Sequence, residues 1–151
     1  MDIKVILHPT DGSRDAGKAL DLACDLASSH GAKLVIVHAQ GHHEWDVAPE
    51  TVRGYEARLH ARETEVDLQR LRAQAVLDAA AGEARSRGLS DVEPLLVEGD
   101  AAKAIVEAAN ATEANLIVIG SRGLGDLQSL LLGSVSHKVM QLASCSCLLV
   151  R

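Results

Sequence analysis

The chain has 151 residues, 47% of them hydrophobic, and a formal net charge of -6. That length suffices for one sizeable core, so a single domain over 1–151 is expected. The acidic balance excludes a general affinity for nucleic acid or anionic membrane, and with Trp45 and Tyr55 as the whole aromatic complement a base-stacking platform is excluded too.

Met1-Asp2-Ile3-Lys4 leads straight into β-forming residues without a signal peptide, and no apolar run nears the roughly 20 residues that span a bilayer. A cytoplasmic location is expected, with the odd number of cysteines kept as reduced thiols. Ile3 to Leu7 reads as a first strand, and His8-Pro9-Thr10-Asp11-Gly12-Ser13 as a tight turn into a helix. From Asp15, Ala16, Ala19, Leu20, Ala23, Leu26 and Ala27 recur at helical spacing, and Gly31 supplies the stop.

Leu34-Val35-Ile36-Val37 is a continuous apolar run, as in a strand buried on both faces, ending near His38-Ala39. Gln40 to Pro49 is polar and reads as a surface loop. A long helix then reaches about Arg87, with Ala73, Val76, Leu77, Ala80 and Ala84 on its inner face and a charged, solvent-facing first half from Glu56 to Asp67. Glu93 to Val97 is a third strand, placed at the sheet edge by Pro94. Asp100 caps a third helix with Ala101, Ala104, Ile105, Ala108 and Ala109 inward, and Leu116 to Ile119 is a fourth strand. Val135, Val139 and Leu142 mark the inner face of a fourth helix, and Cys147 to Val150 is a fifth strand. The alternation predicts a doubly wound parallel sheet with helices on both faces. Ligands of such sheets sit beyond the carboxyl ends of the strands, where the loops after strands one and four would meet if those strands are neighbours.

Gly120-Ser121-Arg122-Gly123-Leu124-Gly125, followed by Gly133-Ser134, carries the chemistry. Glycine admits positive φ and close approach of the backbone to a guest, and Gly133-Ser134 opens a helix whose free N–H groups favour a phosphate. The serine hydroxyl either caps that helix or donates to a phosphate. No lysine stands where a Walker A loop needs one, and Gln128 stands where the dinucleotide fingerprint needs a third glycine. Arg122 either neutralises phosphate or points to solvent. Asp11 suits the paired hydroxyls of a ribose, or caps the first helix as an ordinary turn aspartate.

The spacing G-x2-G-x9-G-S resembles the signature of the universal stress protein family. Ile6 to Ser13, Gly99-Asp100, Asn115 to Gly123, and Gly133-Ser134-Val135-Ser136 through Leu148-Leu149-Val150 extend the likeness over nearly the whole chain. The resemblance, to the ATP-binding branch, implies a five-stranded sheet in the order 3-2-1-4-5, of the adenine nucleotide alpha hydrolase-like kind. It also implies a homodimer through the final strand, a part in the stress response, an unidentified regulatory partner protein, and little or no hydrolysis of ATP. Carried over by position, it implies ribose or adenine contacts from Pro9, Thr10 and Asp11, and an adenine contact from the Ala39 backbone. It further implies that Ile119 borders the base and that Gly120, Arg122, Gly123, Gly133, Ser134, Val135 and Ser136 would hold the phosphates of ATP, with magnesium as an expected companion. His8, Asn115 and Cys145-Ser146-Cys147 depart from the family's pattern. His8 is expected to alter the pocket floor, and the lost proline before the last strand to loosen the dimer edge.

His38, His42, His43 and Glu44 are metal-ligand types, but adjacent loop histidines rarely present both rings to one ion, and His38 is expected to be hydrogen-bonded. No metal site is expected. Cys145 and Cys147 are expected on opposite faces of a strand, unable to pair and serving as small core residues. No general base for attack on a phosphate is evident, which favours a binding protein over an enzyme. A slow metal-assisted ATPase and a nucleotide-independent interaction module are the alternatives. An adenylate-forming enzyme is disfavoured, because the loop after strand one lacks the necessary serine and glycine run.

Overall fold

The computed structural model describes residues 2–41, 52–124 and 132–151; for 52–59 and for 62 it describes the backbone alone. Its elements run β1 (Val5–Pro9), α1 (Arg14–His30), β2 (Lys33–Gln40), α2 (Val52–Ser86), β3 (Val92–Glu98), α3 (Ala101–Ala111), β4 (Leu116–Gly120), α4 (Ser134–Leu142) and β5 (Ser146–Val150). The sheet is five-stranded and parallel in the order β3-β2-β1-β4-β5. Pro94 therefore lies on an edge strand, where a missing N–H costs no ladder bond. The predicted His-rich loop falls almost wholly outside the described residues, including His42, His43 and Glu44.

Local signals set the helix ends. The Ser13 hydroxyl accepts from the Ala16 N–H, and Gly31 closes α1 at φ 60°, a left-handed conformation that costs glycine least. Asp100 accepts from the Lys103 N–H at 3.1 Å and so caps α3. Between β4 and β1, the Asn115 side-chain oxygen accepts from the N–H groups of Lys4 and Val5 at 2.8 and 2.9 Å. The carboxamide oxygen thus supplies the acceptor that an aspartate would supply here.

Alternation along the central strands divides the core in two. Ile6, Leu34, Ile36 and Val118 pack with α1 and α2, through residues such as Leu20, Ala23, Leu77 and Ala84. Leu7, Val35, Val37, Ile117 and Ile119 pack on the other face with Ile105, Ala108 and Val139 of α3 and α4. Among the described residues no helix is long and apolar enough to cross a membrane.

Three expectations need correction. Cys145 and Cys147 both pack against the α3/α4 side, because residues two apart on an extended chain share a face. Burial pushes both thiols up in pKa, which favours the protonated form. Leu142 is 53% exposed, since α4 buries Ser136 and Val139 while Val135 is only partly covered. Finally, His8 is not on the pocket floor: it follows Leu7 on the opposite face of β1, the side of Ile6 and Val118, and is fully buried there.

The His8 ring Nδ1 lies 2.9 Å from the Val118 carbonyl oxygen, which fixes Nδ1 as the donor, and Nε2 has no partner. Burial pushes the His8 pKa down to about 4, against smaller opposing effects of the Val118 carbonyl and the Asp11 charge. The unfolded chain, with a histidine pKa of about 6.5, therefore binds the extra proton first as pH falls. Stability is full above that value and declines towards pH 4, by on the order of 3 kcal/mol if His8 acts alone. Urea titrations between pH 7 and pH 4 should show this decline, and His8→Val should flatten that part of it. An unchanged pH slope in the variant would remove His8 as its source.

Candidate functional site

β1 and β4 are neighbours, with Ile6 opposite Leu116 and Leu7 opposite Ile117, so the loops that follow them converge beyond the carboxyl ends of the strands. β1 has β2 on one side and β4 on the other, which makes this the point where the winding of the sheet reverses. A cavity of about 360 Å³ opens there, on the α3/α4 side. That volume lies within the roughly 300–1,000 Å³ of small-molecule sites.

The cavity brings together Pro9, Thr10, Asp11, Ala39, Ile119, Gly120, Arg122, Gly123, Ser134, Val135 and Ser136 from the expected set. Ala16, Val37, Ala101, Ile105 and Leu124 also line it, beyond that set. Two of these are within reach of the sequence. Val37 shares a strand face with Ala39, and Ile105 lies one helical turn from Ala101, facing the same way. Ala16 and Leu124 reach the cavity only because the two loops fold together.

Gly133 is the exception. It does not line the cavity, and its N–H donates to the Ser121 carbonyl at 2.7 Å. The Ser136 hydroxyl is committed too, donating to the carbonyls of Ser121 and Gly133 at 2.9 and 3.0 Å. These bonds fix where α4 begins. Gly133 is its N-cap without a side-chain cap, and the first bond inside the helix runs from His137 N–H to the Gly133 carbonyl. The N–H groups of Ser134, Val135 and Ser136 precede that bond and have no carbonyl within the helix to meet, so the positive end of α4 borders the cavity.

The glycine at 120 serves close approach and not positive φ. A Cβ there would lie 2.7 Å from the Asp15 carbonyl carbon and 2.8 Å from the Ala16 nitrogen. Among the described residues φ is positive at glycines 12, 31, 88 and 99, whereas Gly120 does not use that freedom and Gly133 has φ -72°. Gly125 lies outside the described residues.

Asp11 spans both loops. One carboxylate oxygen accepts from the Ser13 N–H and the other from the Leu124 N–H, each at 2.9 Å. The cap of α1 is Ser13, so Asp11 is a turn aspartate that also pins the glycine loop. Each oxygen keeps a further lone pair for a ligand. The ring of His38, at the end of β2, has Nδ1 2.7 Å from the Thr10 carbonyl, as expected of a hydrogen-bonded histidine. Arg122, 42% exposed at its side chain, places Nε 3.5 Å from the Asp15 carboxylate.

Comparison with known proteins bears on what such a site does. The model of the universal stress protein family matches residues 2–151. A universal stress protein of Thermus aquaticus is 37% identical over 150 residues, covering 98% of each chain. Among solved structures, a universal stress protein from Lactobacillus plantarum superposes with a TM-score of 0.85 at 20% identity, covering 100% of this chain and 99% of that one. A universal stress protein solved in complex with cAMP gives 0.69 at 28% identity, covering 100% and 98%.

Proposed function

The chain belongs to the universal stress protein family, and from that premise we propose that it is an adenine-nucleotide-binding regulatory protein of the stress response. The observation that carries this reading is the two-sided character of the cavity. Val37, Ala39, Ile105 and Ile119 offer an apolar slot for a base. Facing it, the glycine loop with Arg122 and the N–H groups in the first turn of α4 suit a phosphate. The cAMP bound to a relative of the same fold supports adenine as the base.

In this reading Pro9, Thr10 and Asp11 meet the ribose, with the Ala39 backbone and Ile119 against adenine. Gly120, Arg122, Gly123, Ser134, Val135 and Ser136 hold the phosphates, Ser136 through its backbone. Gly133 contributes by setting the start of α4. The chain acts as one domain over 1–151 and binds ATP, with magnesium on the phosphates, without appreciable hydrolysis. The observation favouring binding over catalysis is that Asp11 is the one carboxylate among the described residues lining the cavity, and this reading gives it to the ribose, which leaves no general base beside the phosphates. We further read it as a cytoplasmic homodimer joined through β5, which among the described residues pairs on one side only and exposes Leu148. Nucleotide occupancy would alter the surface presented to a regulatory protein partner.

Titration calorimetry with ATP, ADP and AMP, each with and without magnesium and with GTP as the control, tests the binding. Saturable uptake of an adenine nucleotide is the expected result, and none at millimolar concentration would overturn it. Sedimentation equilibrium returning a monomer would remove the dimer.

A further inference from the structure

Among the described residues Asp15 is the one buried carboxylate. It sits in the first turn of α1, where the backbone presses against Gly120, and it does not line the cavity itself. One oxygen accepts from the Ser121 hydroxyl at 2.9 Å and stands 3.5 Å from Arg122 Nε, while the other is 3.6 Å from Lys18 Nζ. The Ser121 hydrogen bond, with Lys18 and Arg122 in support, holds the Asp15 carboxyl below the usual carboxylate range, so it is ionised at neutral pH.

We propose that Asp15 is a positioning residue that fixes the Arg122 guanidinium at the cavity mouth, and that its charge sets how the site discriminates between the mono- and triphosphate of one nucleoside. The proposal rests on the adenine-nucleotide reading and deepens it. Arg122 is the one cation and Asp11 the one anion among the described residues that line the cavity. Behind them Asp15 and Lys18 form a second pair of opposite charges. The four side chains sum to no net charge, so the lengthening phosphate chain meets backbone dipoles but no uncompensated cation. ATP without a metal should then bind within about tenfold of AMP, because its extra negative charge finds little further attraction.

Asp15→Asn removes one negative charge and keeps an oxygen to accept from Ser121, so the loop retains its anchor. Calorimetry with metal-free ATP and AMP should show the ATP-to-AMP affinity ratio rising at least about fivefold in Asp15→Asn at low salt, and the gain shrinking as salt screens it. Lys18→Gln, at a half-exposed residue outside the cavity, leaves Asp15 less compensated and should lower the ratio about twofold. A loss of packing alone would weaken both ligands equally and move neither ratio nor salt slope. A wild-type preference for metal-free ATP of a hundredfold or more, or an unmoved ratio in a folded Asp15→Asn protein, would overturn the proposal. If Asp15→Asn does not fold, an unchanged or raised ratio in Lys18→Gln overturns it. Failure of the wild type to bind any adenine nucleotide would sink the underlying reading, and this inference with it, and is told apart by its appearance before any substitution is made.

Discussion

Gly120→Ala is expected to cost about 3 kcal/mol of stability and to abolish measurable nucleotide binding. The added Cβ would stand 2.7 Å from the Asp15 carbonyl carbon, 2.8 Å from the Ala16 nitrogen and 2.9 Å from the Asp15 oxygen. These are backbone atoms of α1, which cannot swing aside as the tip of a side chain would, and overpacking of this kind costs ~1–3 kcal/mol or more. Relief requires α1 to retreat or the end of β4 to slide. Sliding would disturb the Ser121 N–H bond to Val150 at 2.7 Å and the bonds from Gly133 and Ser136 to the Ser121 carbonyl. For a chain of this size the melting temperature should fall by on the order of 10 °C. Gly17→Ala is the control. Nothing lies within 4 Å of the position its added methyl would take, and it sits inside α1, so alanine there should be neutral or stabilise by up to about 1 kcal/mol. Thermal melts of the two variants side by side would decide the matter, and equal melting temperatures would contradict the packing argument.

Asp11→Ala is expected to weaken adenine-nucleotide binding by at least about tenfold, and to cost about 1–2 kcal/mol of stability. The substitution leaves the Ser13 and Leu124 N–H groups without their acceptor, and hydrogen bonds to a charged group are worth ~1.5–3 kcal/mol each when buried, less where water replaces them. It also lets the glycine loop part from the turn after β1, so part of the binding energy goes to reassembling the cavity. Asp11→Asn keeps an oxygen for one of the two N–H groups and should fall between the wild type and alanine. Calorimetry on both variants checks this, and an alanine variant that binds as the wild type does would remove Asp11 from the site.

The elements are legible because their signals are local. Gly31 stops α1, Asp100 opens α3, and the run Leu34 to Val37 gives a strand covered on both faces, while the cap of α1 proves to be Ser13 and not Asp11. The sheet order follows from the family resemblance. What stays hidden in the sequence is long-range. The Asp15–Ser121 hydrogen bond joins residues 106 apart, and the Asp11–Leu124 bond joins residues 113 apart, so neither leaves a spacing to read. Arg122 looks like a plain phosphate ligand because Asp15, its partner, is invisible from the loop's own residues. Gly133 reads as a phosphate contact in the signature, yet its N–H goes to the Ser121 carbonyl. The cysteine pair and His8 depart from expectation for a different reason. Both turn on the two-residue period of a strand, which puts Cys145 and Cys147 together on the α3/α4 side and His8 with Ile6 on the face away from the cavity.

The central claim is that one adenine nucleotide sits between the apolar slot and the α4 N-terminus, and a residue-resolved amide titration tests it most directly. With 15N-labelled protein and AMP, saturable shifts are predicted at the amides of Ala39, Gly120, Gly123, Ser134 and Val135. Amides on the opposite face, such as those of Leu77 and Ala84 in α2, should stay in place. Absence of shifts at millimolar AMP, or shifts confined to the α1/α2 face, would contradict the account.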